Sequence, residues 1–317
     1  THEYVEDLKI AGTIGYLNLV SHNIDLSNSN ATINQFELKD ADISVINSAQ
    51  TTEENSETTP WNITLEKLNV QNINVAYTDL TDSLQIGGGI GTASLDHLEV
   101  NLKEEHYQAR KFLLNKGKLL FSQKEKPKEK GFDSQYIELR DFDINLESAT
   151  FSKEVLLADL KELTVSERSG VHIENITAKI QKRGEEIDIP YFKIQTPHSD
   201  FHLSCHVPKT AQKDNYENLF LKISSHLGKQ DLFNFLGDLS PDHLATDYPN
   251  YPIFIDIDAS GDNEAIFVNR LDTKLPSAFS IKGYGKLSHL TDSLQREAVL
   301  TLKSNTEALD FLLPTDS

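Results

Sequence analysis

Three histidines at four-residue steps, His198, His202 and His206, are the first candidates for chemistry, because on a helix that spacing puts metal-ligating side chains on one face. Their surroundings read as a strand instead: Phe201, Leu203, Cys205 and Val207 alternate with His202 and His206. Residues four apart on a strand stand roughly 13 Å from each other, so His202, His206 and Asp200 do not converge on one ion. Cys205 lies on the apolar side of the alternation and reads as a small buried side chain rather than a reactive thiol. As the single cysteine, it leaves no internal disulfide and no cysteine-based zinc site.

The other chemical signals are weaker. Asp256 and Asp258 oppose Ile255 and Ile257 along one strand, which reads as a solvated face rather than a paired acid and base. No G-x-S-x-G, H-E-x-x-H or Walker loop occurs in the chain. Gly87-Gly-Gly-Ile-Gly91 lacks the G-x-G-x-x-G spacing of a dinucleotide loop and reads as a turn or bulge. Sequons at Asn30, Asn62 and Asn175 are common tripeptides. The expectation is a protein that is not an enzyme, with no catalytic residue, no metal and no cofactor. A net charge of −19 argues against nucleic acid or an anionic surface as a partner, because phosphate neutralisation needs a clustered basic face. The dense lysine run, Lys124-Glu-Lys-Pro-Lys-Glu-Lys130, is interleaved with glutamate and proline and reads as a solvated loop.

Strands must position whatever the chain does. Period-2 alternation recurs from end to end, clearest in Ile253, Ile255, Ile257 and Ala259. Turn residues stand between the runs: Asn28 to Asn30, Lys39-Asp40, Gly87 to Gly89, Glu104-Glu105, Arg183-Gly184 and Gly261 to Asn263. With little sequence left for crossover helices, neighbouring strands are expected to pair antiparallel. Segments 48–60 and 123–134 read as mobile insertions in one continuous β region spanning 1–317. Helical spacing is confined to Asp231–Gly237, with Pro241 starting a second turn and a short helix expected over Thr306–Leu312. The fold class is mainly β: an elongated, curved antiparallel sheet folded into an open apolar trough, with one or two short helices.

A degenerate unit recurs: an apolar residue, two or three polar ones, then alternating apolar residues. It appears in Leu38-Lys-Asp-Ala-Asp-Ile-Ser-Val45, Leu65-Glu-Lys-Leu-Asn-Val70, Leu139-Arg-Asp-Phe-Asp-Ile-Asn-Leu146 and Leu160-Lys-Glu-Leu-Thr-Val165. Together with Leu8 to Leu19, Trp61 to Tyr77, Ile194 to Ser199 and Leu275 to Gly285, these segments resemble the AsmA-like superfamily, specifically TamB-type translocation and assembly proteins of Bacteroidetes. The resemblance implies a β-taco-like trough in the periplasm, held to the inner membrane by an N-terminal helix outside this sequence. It further implies engagement of an outer-membrane barrel protein through regions not present here, and brings no catalytic residue with it. The chain opens at Thr1 without a signal-peptide pattern and is expected to be a segment of a longer protein.

A trough also follows from the alternation itself, because a sheet with one apolar face must be covered or must curl. The expected function is a non-enzymatic periplasmic lipid-shielding conduit or chaperone that takes phospholipid acyl chains and supports transport to the outer membrane and envelope integrity. Candidate groove residues are Ile43, Val45, Val75, Ile144, Leu146, Ile189, Leu203, Ile255, Ile257 and Ile281. The alternatives are an assembly factor for outer-membrane proteins that guides strands by augmentation, and a surface β-module that binds glycan or protein.

Overall fold

The computed structural model describes residues 2–5, 8–48, 60–209, 219–262, 265–289 and 295–312. It divides into two compact units, residues 1–172 and 173–317. Unit 1 contains strands β1 (His2–Val5), β2 (Leu8–Asp25), β3 (Asn30–Asn47), β4 (Asn62–Asp79), β5 (Leu84–Asn101), β6 (His106–Ser122), β7 (Tyr136–Phe151) and β8 (Val155–Glu167). A two-residue strand β9 (His172–Ile173) follows. Unit 2 contains β10 (Asn175–Arg183), β11 (Glu186–Gln195), β12 (Asp200–Val207), β13 (Leu219–Leu227), β14 (Ile253–Gly261), β15 (Ala265–Leu275), β16 (Phe279–Ser288) and β17 (Glu297–Thr306). Helices α1 (Lys229–Leu236) and α2 (Asp242–Asp247) lie between β13 and β14. The protein is thus mainly β, built as open curved sheet that does not close into a barrel. No helix among the described residues is long and apolar enough to cross a membrane.

Among the described residues, the strand pairs β1–β2, β2–β3, β4–β5 through β7–β8, and β10–β11 through β16–β17 are antiparallel. One pair corrects the expectation from sequence: β3 and β4 run parallel, with Asn30 beside Asn62 and Asn47 beside Asp79. A parallel pair needs about a dozen residues to return the chain, and segment 48–61 has that length. Residues 49–59 of the expected insertion lie outside the described residues. The lysine-rich segment is a loop anchored by Asp133, which is 1% exposed, pairs with Lys124 and accepts from the Lys128 and Gln135 amides.

The strands of unit 1 are creased. Asp40, Asn72, Lys116 and Asp141 all have positive φ, between 48° and 56°, in mid-strand. Asp40 and Asn72 lie side by side in the parallel register, and the Asn72 side-chain amide donates to Asp40 Oδ1 at 2.8 Å. Gly91 stands between Asn72 and Lys116, where a Cβ would come within 2.9 Å of the Lys116 Cβ. A left-handed residue turns the backbone and shifts the side-chain alternation by one, so the row of them on β3, β4, β6 and β7 bends these strands along a line. His97 (φ 65°) and Lys111 (φ 49°), with register shifts beside them, mark a second line. Lys39-Asp40 and Gly87 to Gly89, read above as turns between strands, therefore lie inside β3 and β5.

In unit 2 the two helices and a 3-10 turn at Asp310–Leu312 gather over the ends of β14–β16. Their core joins Tyr248, Leu275, Ala278 and Phe311, with Leu275 only 1% exposed. Tyr248 meets Phe233 and Phe311 edge-on at 5.5 and 5.4 Å, a preferred aromatic geometry. Leu232 and Phe233 pack inward as the helical spacing requires. The helix expected over Thr306–Leu312 is this single 3-10 turn, because Thr306 still pairs with Phe279 as the end of β17.

Candidate apolar groove

Paired residues on adjacent strands share a face, so the register lists which side chains meet. In unit 1, Leu17, Leu38, Val70, Ala93, Leu114, Ile144 and Leu163 follow one another from β2 to β8 through direct pairs. A second row runs Gly12, Ile43, Val75, Gly88, Leu119 and Leu139. Two residues further along each strand beyond the second row come Ile10, Val45, Tyr77, Ile86, Phe121 and Ile137. One face of the sheet is therefore apolar across seven strands, and among the described residues unit 1 has no helix to cover it. Burial is deepest along the middle of the strands, at Ala41, Ile73, Ala93, Leu95 and Leu114. Toward the Asn47 and Asp79 ends of β3 and β4 the face is more open, with Val75 45% exposed, whereas at their other ends Ala31 and Leu65 stay buried.

Unit 2 repeats the pattern on shorter strands. Ala178, Phe192, Leu203, Ile223, Ile257, Leu271, Gly283 and Leu302 form one row from β10 to β17. Ile189, Cys205, Leu221, Ala259, Val268, Gly285 and Leu300 form the next. Glycines on this face leave space that neighbours fill: a Cβ on Gly283 would stand 2.5 Å from Leu302 Cδ2. Burial, with the Asp188 charge, pushes the Cys205 thiol above its usual range, which fits a packing role.

All ten residues singled out from sequence lie on these faces, in two sets. Ile43, Val45 and Val75 are mutual neighbours in unit 1, whereas Ile144 and Leu146 lie on the far side of the first crease. Ile189, Leu203, Ile255, Ile257 and Ile281 belong to unit 2; Leu203 reaches Ile257 through Ile223, and Ile255 reaches Ile281 through Thr273. The central row contributes only Ile144 to those singled out; Leu38, Val70 and Leu114 were not among them. Its signal is a five-residue recurrence, with apolar pairs at 31 and 33, 36 and 38, and 41 and 43 in β3, repeated 32 residues later in β4.

The opposite face is polar and holds the groups with chemical potential. His202 pairs with Lys193 and Ser224, while His206 Nδ1 lies 3.3 Å from Asp188. His226 Nδ1 meets Asp200 Oδ2 at 2.6 Å beside a cleft of about 430 Å³ that also includes Glu174, Lys193 and His202. Asp256 pairs with Arg270 at 2.6 Å, and Asp258 accepts from Asn269 at 3.0 Å, so both face outward as their alternation requires. No group of three or more His, Cys, Asp or Glu side chains that could hold a metal ion occurs among the described residues. Comparison with protein-family models, curated proteins and solved structures gives no match.

Proposed function

We propose that the chain is a non-enzymatic, lipid-shielding conduit or chaperone of the periplasm, which carries phospholipid acyl chains along its apolar face in support of transport to the outer membrane. The observation that supports this reading is the unbroken run of apolar rows, crossing strand after strand at right angles to the chain and left partly open to solvent. Burying acyl chains is worth about 0.8 kcal/mol per methylene. Where every strand presents the same lining, a lipid passes from one to the next with little change in free energy. Headgroups stay in water at the open side, and no chemical step is required. Attachment to the inner membrane and an outer-membrane barrel partner belong to the same reading and rest on the TamB-type resemblance.

The test is native mass spectrometry with lipid extraction on the purified chain after phospholipid is offered. The wild type is expected to retain phospholipid, and Ile255→Asp/Ile257→Asp to lose it while keeping its β-sheet circular dichroism. Val75→Asp is the companion in unit 1, where partial exposure lets a carboxylate stay hydrated and the fold survive. Lipid-free wild type under these conditions overturns the proposal. A second reading, a surface module that binds glycan or protein, draws on the outer face of β15–β17. There Phe267 and Tyr284 are exposed beside a cleft of about 600 Å³, with Lys286 Nζ 5.6 Å from the Phe267 ring centre. Loss of glycan or protein binding in Tyr284→Ala with lipid retention unchanged would favour it.

A further inference from the structure

Whereas one strand-end edge of unit 1 has, among the described residues, a single turn with an exposed leucine, where Leu80 follows the Asp79 cap, apolar and aromatic side chains gather at the opposite edge. Its hairpin turns use an acidic or amide side chain as a cap: Asp25 Oδ1 accepts from the Ser27 and Asn28 amides, and Asn101 Oδ1 accepts from the Lys103 and Glu104 amides. Both turns place a leucine directly after the cap and turn it outward, Leu26 at 77% and Leu102 at 44% exposure. Turn positions normally carry polar residues, and these caps work equally well with a polar neighbour. The single tryptophan stands between the two turns. Trp61 accepts from the Leu102 amide through its carbonyl at 3.0 Å, and the next residue, Asn62, donates to the Ser29 carbonyl at 2.8 Å. Further along the same edge Phe151, 53% exposed, faces Tyr107 with ring centres 6.0 Å apart and pairs with Leu156, also exposed.

We infer that this edge is an apolar lip that seats in the surface of a zwitterionic phospholipid bilayer. The inference rests on the lipid reading above for its choice of partner. Exposed leucines grouped with aromatic residues along one line are what a bilayer interface accepts, tryptophan being the residue that favours the headgroup level. Charges beside the lip are of both signs, Lys103 with Glu104 and Glu105, Lys153 with Glu154, so it offers no basic surface to anionic lipid. The net charge of −19 further opposes an anionic membrane. A bilayer at this lip would stand next to the Ile24, Ala31 and Ile63 end of the apolar face, where lipid tails would enter or leave.

Trp61 supplies the readout. Mixed with dioleoylphosphatidylcholine vesicles, the whole chain should cosediment with them, shift its emission to the blue and be quenched by brominated acyl chains. Leu26→Ser/Leu102→Ser should weaken cosedimentation by about tenfold or more, the worth of two half-buried leucines, while Leu26→Met/Leu102→Met keeps it. Both pairs lie in exposed turns, and unchanged circular dichroism confirms the fold. No cosedimentation, or cosedimentation equal in the serine variant, overturns the lip. If the chain still retains extracted lipid in native mass spectrometry, the conduit survives that result; if it retains none, both fall.

Discussion

At the scale of single residues, the turn carboxylates matter most. Asp25 is held at about pKa 2, chiefly by hydrogen bonds from the Ser27 hydroxyl and the Asn28 side chain. Asp79 lies further below the usual carboxylate range, first through the Thr81 hydroxyl and then through the Asn47 amide, which ties the end of β3 to the end of β4. Burial alone would raise Asp133, but Lys124 and the Lys128 and Gln135 amides outweigh it. All three are depressed in the folded state relative to about 3.9 in an unfolded chain. Their stabilisation is therefore complete above about pH 5 and is lost progressively as pH falls through each folded-state value, near 2 for Asp25 and lower for Asp79. Urea melts should show Asp25→Asn/Asp79→Asn less stable than wild type at pH 7, with the gap narrowing from about pH 5 down to pH 2 as the Asp25 share is lost and the Asp79 share persists. Parallel curves across that window would mean that the turns do not depend on these charges.

At the scale of elements, the crease separates what the sequence displays from what it conceals. The alternation in β14 is visible because Ile253 to Ala259 is uninterrupted, and the structure keeps all four side chains on one face. In β3 the same alternation breaks at Lys39-Asp40, and a break with polar residues resembles a turn between two strands. The strand instead continues for 18 residues through a left-handed residue. In two of its four copies the recurring unit, apolar, two polar, apolar, spans the crease, at Lys39-Asp40 and at Arg140-Asp141 between Leu139 and Phe142, whereas Leu65 to Leu68 and Leu160 to Leu163 contain no left-handed residue. The placement of the ten candidates on the apolar faces was legible because each sits in an unbroken alternating stretch. The parallel β3–β4 pair was not, since strand direction depends on a connection rather than on any local pattern. Non-glycine residues pay for left-handed geometry, so the crease makes a quantitative prediction. Asn72→Val, which adds β-branching at φ 54° and removes the bond to Asp40, should cost about 1–2 kcal/mol or more by urea denaturation. Asn72→Gly should be close to neutral, because glycine adopts that geometry freely while losing only the exposed hydrogen bond. Equal losses in both would place the stability in the side-chain bond instead of the backbone turn.

At the scale of the whole molecule, charge and open edges have to be considered together. β17 pairs with β16 on one side, and all ten of its residues are exposed. β1 covers only Leu8 to Ala11 of β2, and from Thr13 to Ile24 that strand carries no Asp, Glu, Lys or Arg. Long open edges invite pairing with another chain, most of all one without charged residues such as this stretch of β2; β17 carries Glu297 and Lys303. The protein offsets this with its net charge of −19, which drives copies apart over a distance set by ionic strength. Hydrogen exchange reads the balance residue by residue. At low salt, alternate amides of Thr13–Ile24 in β2 and of β17 should exchange at nearly intrinsic rates, because an edge strand directs every second N–H to solvent. Amides of β4–β6 and β13–β15, paired on both sides, should exchange orders of magnitude more slowly. Raising salt to about 1 M shortens the screening length to about 3 Å, and the fast amides of β2 and β17 should then gain protection that grows with protein concentration. Protection of the same amides at low salt, independent of concentration, would mean that these edges are covered within a single copy and that charge is not what keeps them apart.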